Sequence, residues 1–186
     1  MSFYIMKQDT LIEGSAALDG LPDDMDALEW MQGKIMPDPG KELILDLSLE
    51  SGDYRGHIID GFATLYHEDL KDALDSLGVD NILYYPVLLR DPNDNSTEGG
   101  YFLANIIGLL DCIDMDNSKT KPWVTGIGFD FLSMVIDESK TKGVKIFRLK
   151  DDPTKVIINQ ELKDYFDKTD MLVGVELIKT EDYSDW

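Results

Sequence analysis

Two apolar runs, Ile82-Leu-Tyr-Tyr-Pro-Val-Leu-Leu89 and Tyr101-Phe-Leu-Ala-Asn-Ile-Ile-Gly-Leu-Leu110, flank the polar stretch Asp91-Pro-Asn-Asp-Asn-Ser96. The first run is rich in residues that suit strands, and the intervening Asp, Asn and Pro are turn formers, so the segment reads as an antiparallel hairpin with a long connection. Pro86 cannot donate to a ladder, which predicts an edge position or a bulge. Asn105 to Leu110, at the end of the second run, can also be read as helix.

Working upstream, Tyr66, Leu70, Ala73, Leu74 and Leu77 recur at helical spacing. Glu68, Asp69, Lys71, Asp72 and Asp75 fill the opposite face and Gly78 supplies a stop, which predicts an amphipathic helix with one face on a core. Leu43 to Leu47 and Phe3 to Met6 read as strands. Between them the acidic, Gly- and Pro-punctuated region holds one short helix, from Met25 to Gln32 with Gly33 after it. Downstream, Phe129 to Ile136 and Val144 to Leu149 are strand candidates joined as a hairpin by the polar turn Glu138 to Gly143. Val156 to Ile158 is a short strand, Asn159 caps a helix carrying Leu162, Tyr165 and Phe166 on one face, and Leu172 to Ile178 alternates as a last strand. Thr180 to Trp186 reads as a frayed tail. Strands outnumber helices and turns join most of them, so the expected fold is α+β: a largely antiparallel or mixed sheet with two to three packed helices. The expected organisation is one domain over residues 1–186, with Met36 to Gly40 able to set off a small amino-terminal subdomain, residues 1–40.

Length and composition agree. With 186 residues, 43% of them hydrophobic, the chain can bury a sizeable core. Its 37 Asp and Glu against 17 Lys and Arg give a formal charge of −20. Such a surface disfavours nucleic acid and anionic membranes, and the densest basic stretch, Lys140 to Lys150, is bounded by acids. Cys112 is the single cysteine, so no internal disulfide forms. The amino terminus carries no basic region followed by a long apolar stretch, and no run reaches the roughly 20 residues that span a bilayer. The expected location is the cytoplasm.

Catalytic and metal motifs are sparse. His57 and His67 lie ten residues apart, without the i,i+4 spacing of a helical metal pair, and their default reading is structural. Asp114, Asp116 and Ser118 begin a calcium-loop pattern that fails at Lys119 and Thr125, and Asp91, Asn93 and Asn95 begin one that fails at Ser96 and Phe102. Both stretches read as turns. No nucleophile elbow, phosphate loop or His-Glu-x-x-His motif is present. Cys112 lacks a basic neighbour and reads as a buried thiol. The expectation is therefore no catalytic residue, no cofactor and no metal.

The order of several short segments carries further information. Tyr84-Tyr85-Pro86-Val87 is followed by Tyr101-Phe102-Leu103-Ala104-Asn105-Ile106-Ile107-Gly108, Asp111-Cys112-Ile113-Asp114 and Ser118. Then come Ile146-Phe147-Arg148-Leu149, Val156-Ile157-Ile158-Asn159 and Leu172-Val173-Gly174-Val175-Glu176-Leu177, with Leu45-Asp46-Leu47-Ser48-Leu49 upstream. Together they resemble a bacterial family first known as a domain of unknown function and later proposed to be immunity proteins of polymorphic toxin systems. The resemblance implies a cytosolic, non-enzymatic protein that neutralises a cognate toxin domain by binding it, and it brings no catalytic residue.

Charge adds a separate argument. Residues 1–100 hold 21 acids and 6 basic residues, whereas 101–150 hold 6 acids and 7 basic residues. An acidic surface suits a basic toxin by steering association, and it equally suits plain solubility. If the charge recruits a partner, its footprint falls in the first half: Asp23, Asp24, Asp26 and Glu29, or Asp91, Asp94 and Glu98 in the hairpin loop. The reading set beside this one is a metal-assisted or carboxylate-dependent hydrolase of unknown substrate using Asp111, Asp114 and Asp116. Oligomeric state is not encoded legibly.

Overall fold

The structure is a computed structural model that describes residues 1–40, 43–61, 63–125 and 127–185. Among them are four helices and twelve strands, in two five-stranded mixed sheets and a two-stranded ribbon.

The first sheet is ordered β12 (Val175–Lys179), β1 (Phe3–Gln8), β11 (Val156–Asn159), β10 (Ile146–Leu149), β7 (Leu109–Leu110). Its pairs are antiparallel except β7 with β10. The second is ordered β2 (Leu43–Asp46), β5 (Ile82–Arg90), β6 (Thr97–Ile106), β4 (Leu65–His67), β3 (Ile58–Ile59), and only β2 with β5 is parallel. The fold is thus α+β and mostly sheet, as the turn-joined strands predict.

Two helices pack between the sheets. These are α2 (Glu68–Ser76) and α4 (Gln160–Thr169), the latter capped by Asn159, whose side chain accepts from Leu162 N at 3.1 Å. Leu70, Ala73 and Leu74 of α2 and Leu162 and Phe166 of α4 join Met6, Ile146, Val156 and Ile158 from one sheet and Ile58, Tyr66, Ala104 and Ile106 from the other in one apolar cluster. The alternation of strand side chains sends their neighbours outward. Leu65, Tyr85, Val87, Tyr101 and Leu103 therefore meet Ala16 and Trp30 of the amino-terminal segment, while Phe3, Ile5, Phe147 and Ile157 meet Cys112, Ile113, Phe131 and Met134. Each sheet thus carries an apolar cluster on both faces, while Ile44 of β2 and Pro86 of β5 stay exposed.

The hairpin 82–110 is more divided than its sequence suggests. β6 ends at Ile106, and Gly108, at φ +130°, turns the chain so that Leu109–Leu110 forms β7 in the other sheet. The helix alternative for Asn105 to Leu110 is not what forms. Pro86 pairs in register with Phe102, one residue before the described pairing of β2 begins at Leu43 with Val87, and the ladder shifts register between Val87 and Leu89. β5 lies inside its sheet, yet on its β2 side no described strand pairs with the segment that contains proline.

Other expectations are corrected. Tyr66 belongs to β4, and the helix starts only at Glu68, with His67 as its cap. The hairpin between Phe129–Ile136 and Val144–Leu149 does not form: β9 (Phe129–Ser133) pairs with β8 (Lys119–Pro122), and a single turn, α3 (Glu138–Thr141), precedes β10. The helix expected at Met25–Gln32 is one turn, α1 (Ala27–Trp30). The carboxyl-terminal stretch is not frayed through Asp185. Asp185 exchanges backbone and side-chain bonds with Phe131, at 2.9 and 2.6 Å, and Thr180, 1% exposed, accepts from Met134 N at 2.9 Å. Trp186 lies outside the described residues.

Candidate functional site

Asp23, Asp24, Asp26 and Glu29 gather beside the edge of the second sheet. Asp26 caps α1 by accepting from Leu28 N at 2.8 Å. That turn seats Trp30, 5% exposed, edge-on to Tyr85 with ring centres 5.5 Å apart. Tyr85 in turn donates from its hydroxyl to Met36 O at 2.9 Å, and Met36 N donates to Asn105 at 3.0 Å. Gly33 holds the same segment down. Its φ of +66° is left-handed, and a Cβ there would meet Leu109 N at 2.7 Å, so only glycine permits the approach.

The result is a cleft of about 360 Å³ whose lining includes Trp30, Met25, Met36 and Leu43 together with the carboxylates of Asp24, Asp26, Glu29 and Asp38. Apolar floor and anionic mouth are the composition a basic, partly apolar segment would fit. Among the described residues, the side chains of Asp23, Asp24 and Glu29 make no hydrogen bond or ion pair. Exposed Leu28 and Ile44 add apolar surface nearby in the chain. A second groove of about 500 Å³ takes Asp23 and Asp19 on one side and the Asp46–Arg90 pair on the other. That pair is bidentate, at 2.5 and 2.7 Å, and the Arg90 guanidinium holds the Asp46 carboxyl below its ordinary range.

The hairpin loop beyond Arg90 differs. Asp91 accepts from Asn93 N at 2.7 Å, Asp94 accepts from Ser96 N at 2.8 Å, and Glu98 pairs with Arg55 at 3.0 Å. Bonds from the Ser96 hydroxyl and amide lower the Asp94 pKa. Two of these three carboxylates hold the turn itself and the third pins Arg55 across from it.

The carboxylates weighed for hydrolysis do not converge. Asp111 pairs with Lys150 at 2.8 Å, Asp114 accepts from the Asn117 side chain at 2.7 Å, and Asp116 is exposed. None lines the clefts described here. Cys112 is buried, and burial followed by Asp151 and Asp111 pushes its thiol up to about 12, so it is inert as a nucleophile at neutral pH.

The two histidines do meet. Ile58 pairs with Tyr66 in the β3–β4 ladder, and continuing that register by one residue sets His57 opposite His67. Their rings stack at 5.6 Å and 18°. Asp69 Oδ2 lies 3.7 Å from His57 Nε2 and 3.3 Å from His67 Nδ1, the one group of donors among the described residues that converges in a way a metal ion could use. The hydrogen bonds point elsewhere. His57 Nδ1 accepts from Val173 N, and His67 Nδ1 from Asp69 N, both at 3.3 Å. Each neutral ring then carries its proton on Nε2, and the pair serves as a backbone tie and a helix cap. Burial and the neighbouring His67 lower the His57 pKa, against the pull of Asp69.

One surface feature was not anticipated. The β8–β9 ribbon ends in Trp123, Val124 and Ile127, which are 48%, 107% and 81% exposed. Trp123 is tethered by its Nε1 donating to Asp130 at 2.7 Å. The strand-favouring Trp123 and Val124 and, after a glycine-rich break in the sequence, Phe129 and Phe131 are the signal that could have found this hairpin.

Residues 57–182 match the model of the Immunity protein family (Imm11). No curated protein matches the chain. The match starts at the stacked histidines and runs through β12, so β1, α1, β2 and the acidic cleft lie upstream of it. It takes in more than half of the 186 residues and agrees with the order of segments from Tyr84 to Leu177 read in the sequence. The chain belongs to the Immunity protein family (Imm11).

Proposed function

We propose that this protein neutralises a cognate bacterial toxin domain by binding it, without catalysis, and that the acidic cleft at Asp24, Asp26 and Glu29, with Asp23 in the adjoining groove, receives a basic segment of that toxin. Membership of an immunity family supports the toxin-directed role. The observation that carries the choice of surface is the cleft itself. It combines an apolar floor at Trp30 and Leu43 with carboxylates at Asp24 and Glu29 that no described side chain neutralises. A charge of −20 accelerates encounter with a basic partner, and rim charges act mainly through the association rate. The cytoplasm, where such a toxin would act after delivery, is the location this role requires.

The test is co-expression of a toxin-domain gene, sought beside this protein's own gene, with this protein and two variants. Wild type restores growth, Asp24→Lys/Glu29→Lys does not, and Val124→Asp in the apolar hairpin restores growth like wild type. Failure of wild type to restore growth or bind the toxin domain contradicts the immunity role for that pair. Rescue by the cleft variant together with failure of Val124→Asp keeps the role and moves the docking surface to the hairpin.

A further inference from the structure

The β8–β9 hairpin is an apolar surface that the toxin reading leaves unused. Val124 and Ile127 at its tip are 107% and 81% exposed, and Trp123 beside them 48%. Single exposed apolar residues need no explanation, whereas three on one turn do. The tip is also held in shape. Trp123 N donates to Gly128 O at 3.0 Å, its Nε1 donates to Asp130 at 2.7 Å, and its ring lies on Gly128, where a Cβ would meet ring carbons at 2.6 Å. Gly128, at φ +124°, permits that approach. A turn ordered before it binds loses little entropy on docking.

Charge sets the hairpin apart from the rest of the chain. Residues 119–128 hold Lys119 and Lys121 and no acid, in a protein of net charge −20. Both lysines are exposed. Of the acids in the groove beside Trp123, Asp130 takes the indole N–H, Asp152 and Asp185 pair with Lys155, and Asp151 completes the lining. The tip is thus a basic, partly apolar segment. The cleft of about 360 Å³ over Met25, Trp30, Met36 and Leu43 has the complementary composition, with Asp24, Asp26, Glu29 and Asp38 at its mouth. No described residue of the hairpin lines that cleft within the same molecule.

We propose that the hairpin of one copy occupies the acidic cleft of a second copy, with Val124 and Ile127 on the apolar floor and the lysines of β8 facing the carboxylates. A narrow turn enters an opening of this size, which a helix face or a flat sheet does not. Hairpin and cleft are different surfaces, so the contact is heterologous and copies join head to tail. Two copies at −20 repel each other overall and a turn buries little area, so the contact is weak and transient. It covers the apolar floor until a tighter partner displaces the hairpin. The contact shares the cleft assigned to the toxin but does not depend on that reading, and its deciding measurements contain no toxin.

Sedimentation velocity of the full chain reads the contact. Wild type sediments as a monomer at about 10 µM and as faster, concentration-dependent species by about 500 µM. Val124→Asp in the hairpin and Asp24→Lys/Glu29→Lys in the cleft each weaken self-association by at least about tenfold. These side chains are exposed, so circular dichroism is unchanged, and Ile127→Asp takes the place of Val124→Asp if that variant does not fold. Head-to-tail contact makes a further demand. The Val124→Asp chain keeps its cleft and the cleft variant keeps its hairpin, so the two, each monomeric alone, form a one-to-one pair when mixed. Association that either variant leaves intact, or a mixture that does not pair, overturns the proposal. Wild type that stays monomeric overturns it too, and if Val124→Asp then loses toxin affinity, the hairpin belongs to the toxin interface instead.

Discussion

The two acidic patches of this protein, at residues 23–29 and 91–98, have opposite structural roles. In the hairpin, Asp91 and Asp94 accept backbone N–H groups within the β5–β6 connection and Glu98 pairs with Arg55, so each carboxylate is already engaged inside the protein. At the sheet edge, Asp26 alone is used as a cap, and Asp24 and Glu29 stand unpaired around Trp30 and Leu43. An acidic stretch can therefore be a turn or a docking surface, and what separates them is whether the backbone consumes the lone pairs. Charge density alone cannot make that distinction.

The largest expected effect comes from removing what shapes the cleft. Trp30→Ala deletes a buried ring packed on Tyr85 and costs about 3–5 kcal/mol in chemical denaturation, with loss of toxin binding in step. Next, Asp24→Lys/Glu29→Lys weakens toxin binding by about a hundredfold, read by calorimetry, while stability changes by less than about 0.5 kcal/mol. In the hairpin the order inverts. Asp91→Ala and Asp94→Ala each lower the thermal unfolding midpoint through the lost turn bonds and leave toxin affinity within about twofold. Equal losses of affinity at the two patches would erase the distinction between them.

A smaller effect follows from His57. Its folded pKa lies below the ordinary 6.5, so the native state favours the neutral ring. The stability it contributes is present above 6.5 and is lost as pH falls through the lowered value, because protonation of Nδ1 breaks the bond from Val173 N. Asp60, raised by burial, acts in the opposite direction at lower pH. Thermal unfolding of wild type compared with His57→Gln between about pH 7 and pH 5 isolates the histidine, and wild type should lose more stability on acidification.

How much of this was legible in the sequence depended on the range of the interaction. Asn159 and α4, Gly78 at the end of α2, and the strands at Phe3 and Leu43 were readable because caps and alternation act within a few residues. The run Tyr101 to Leu110 is uniformly apolar, so nothing local marks where it leaves one sheet for the other. Only Gly108 and its left-handed φ betray the crossing. The tail was misread because its anchor, Asp185 to Phe131, is a contact across 54 residues. The histidines, judged by linear spacing, looked isolated, yet an antiparallel register makes them neighbours. Residues named from charge, Asp23 to Glu29, could be listed but not sorted, since the floor beneath them comes from Trp30, Met36 and Leu43 in separate segments. Arg148 sat in the most basic stretch of the sequence and is buried in the structure.

The central claim, that the acidic cleft captures a basic toxin segment, is tested most directly by the ionic-strength dependence of the association rate. Wild type should associate with the purified toxin domain at a rate that falls steeply as salt screens the cleft, and Asp24→Asn/Glu29→Gln should associate more slowly with a visibly flatter dependence. Identical rates and identical salt slopes for the two proteins would contradict the account.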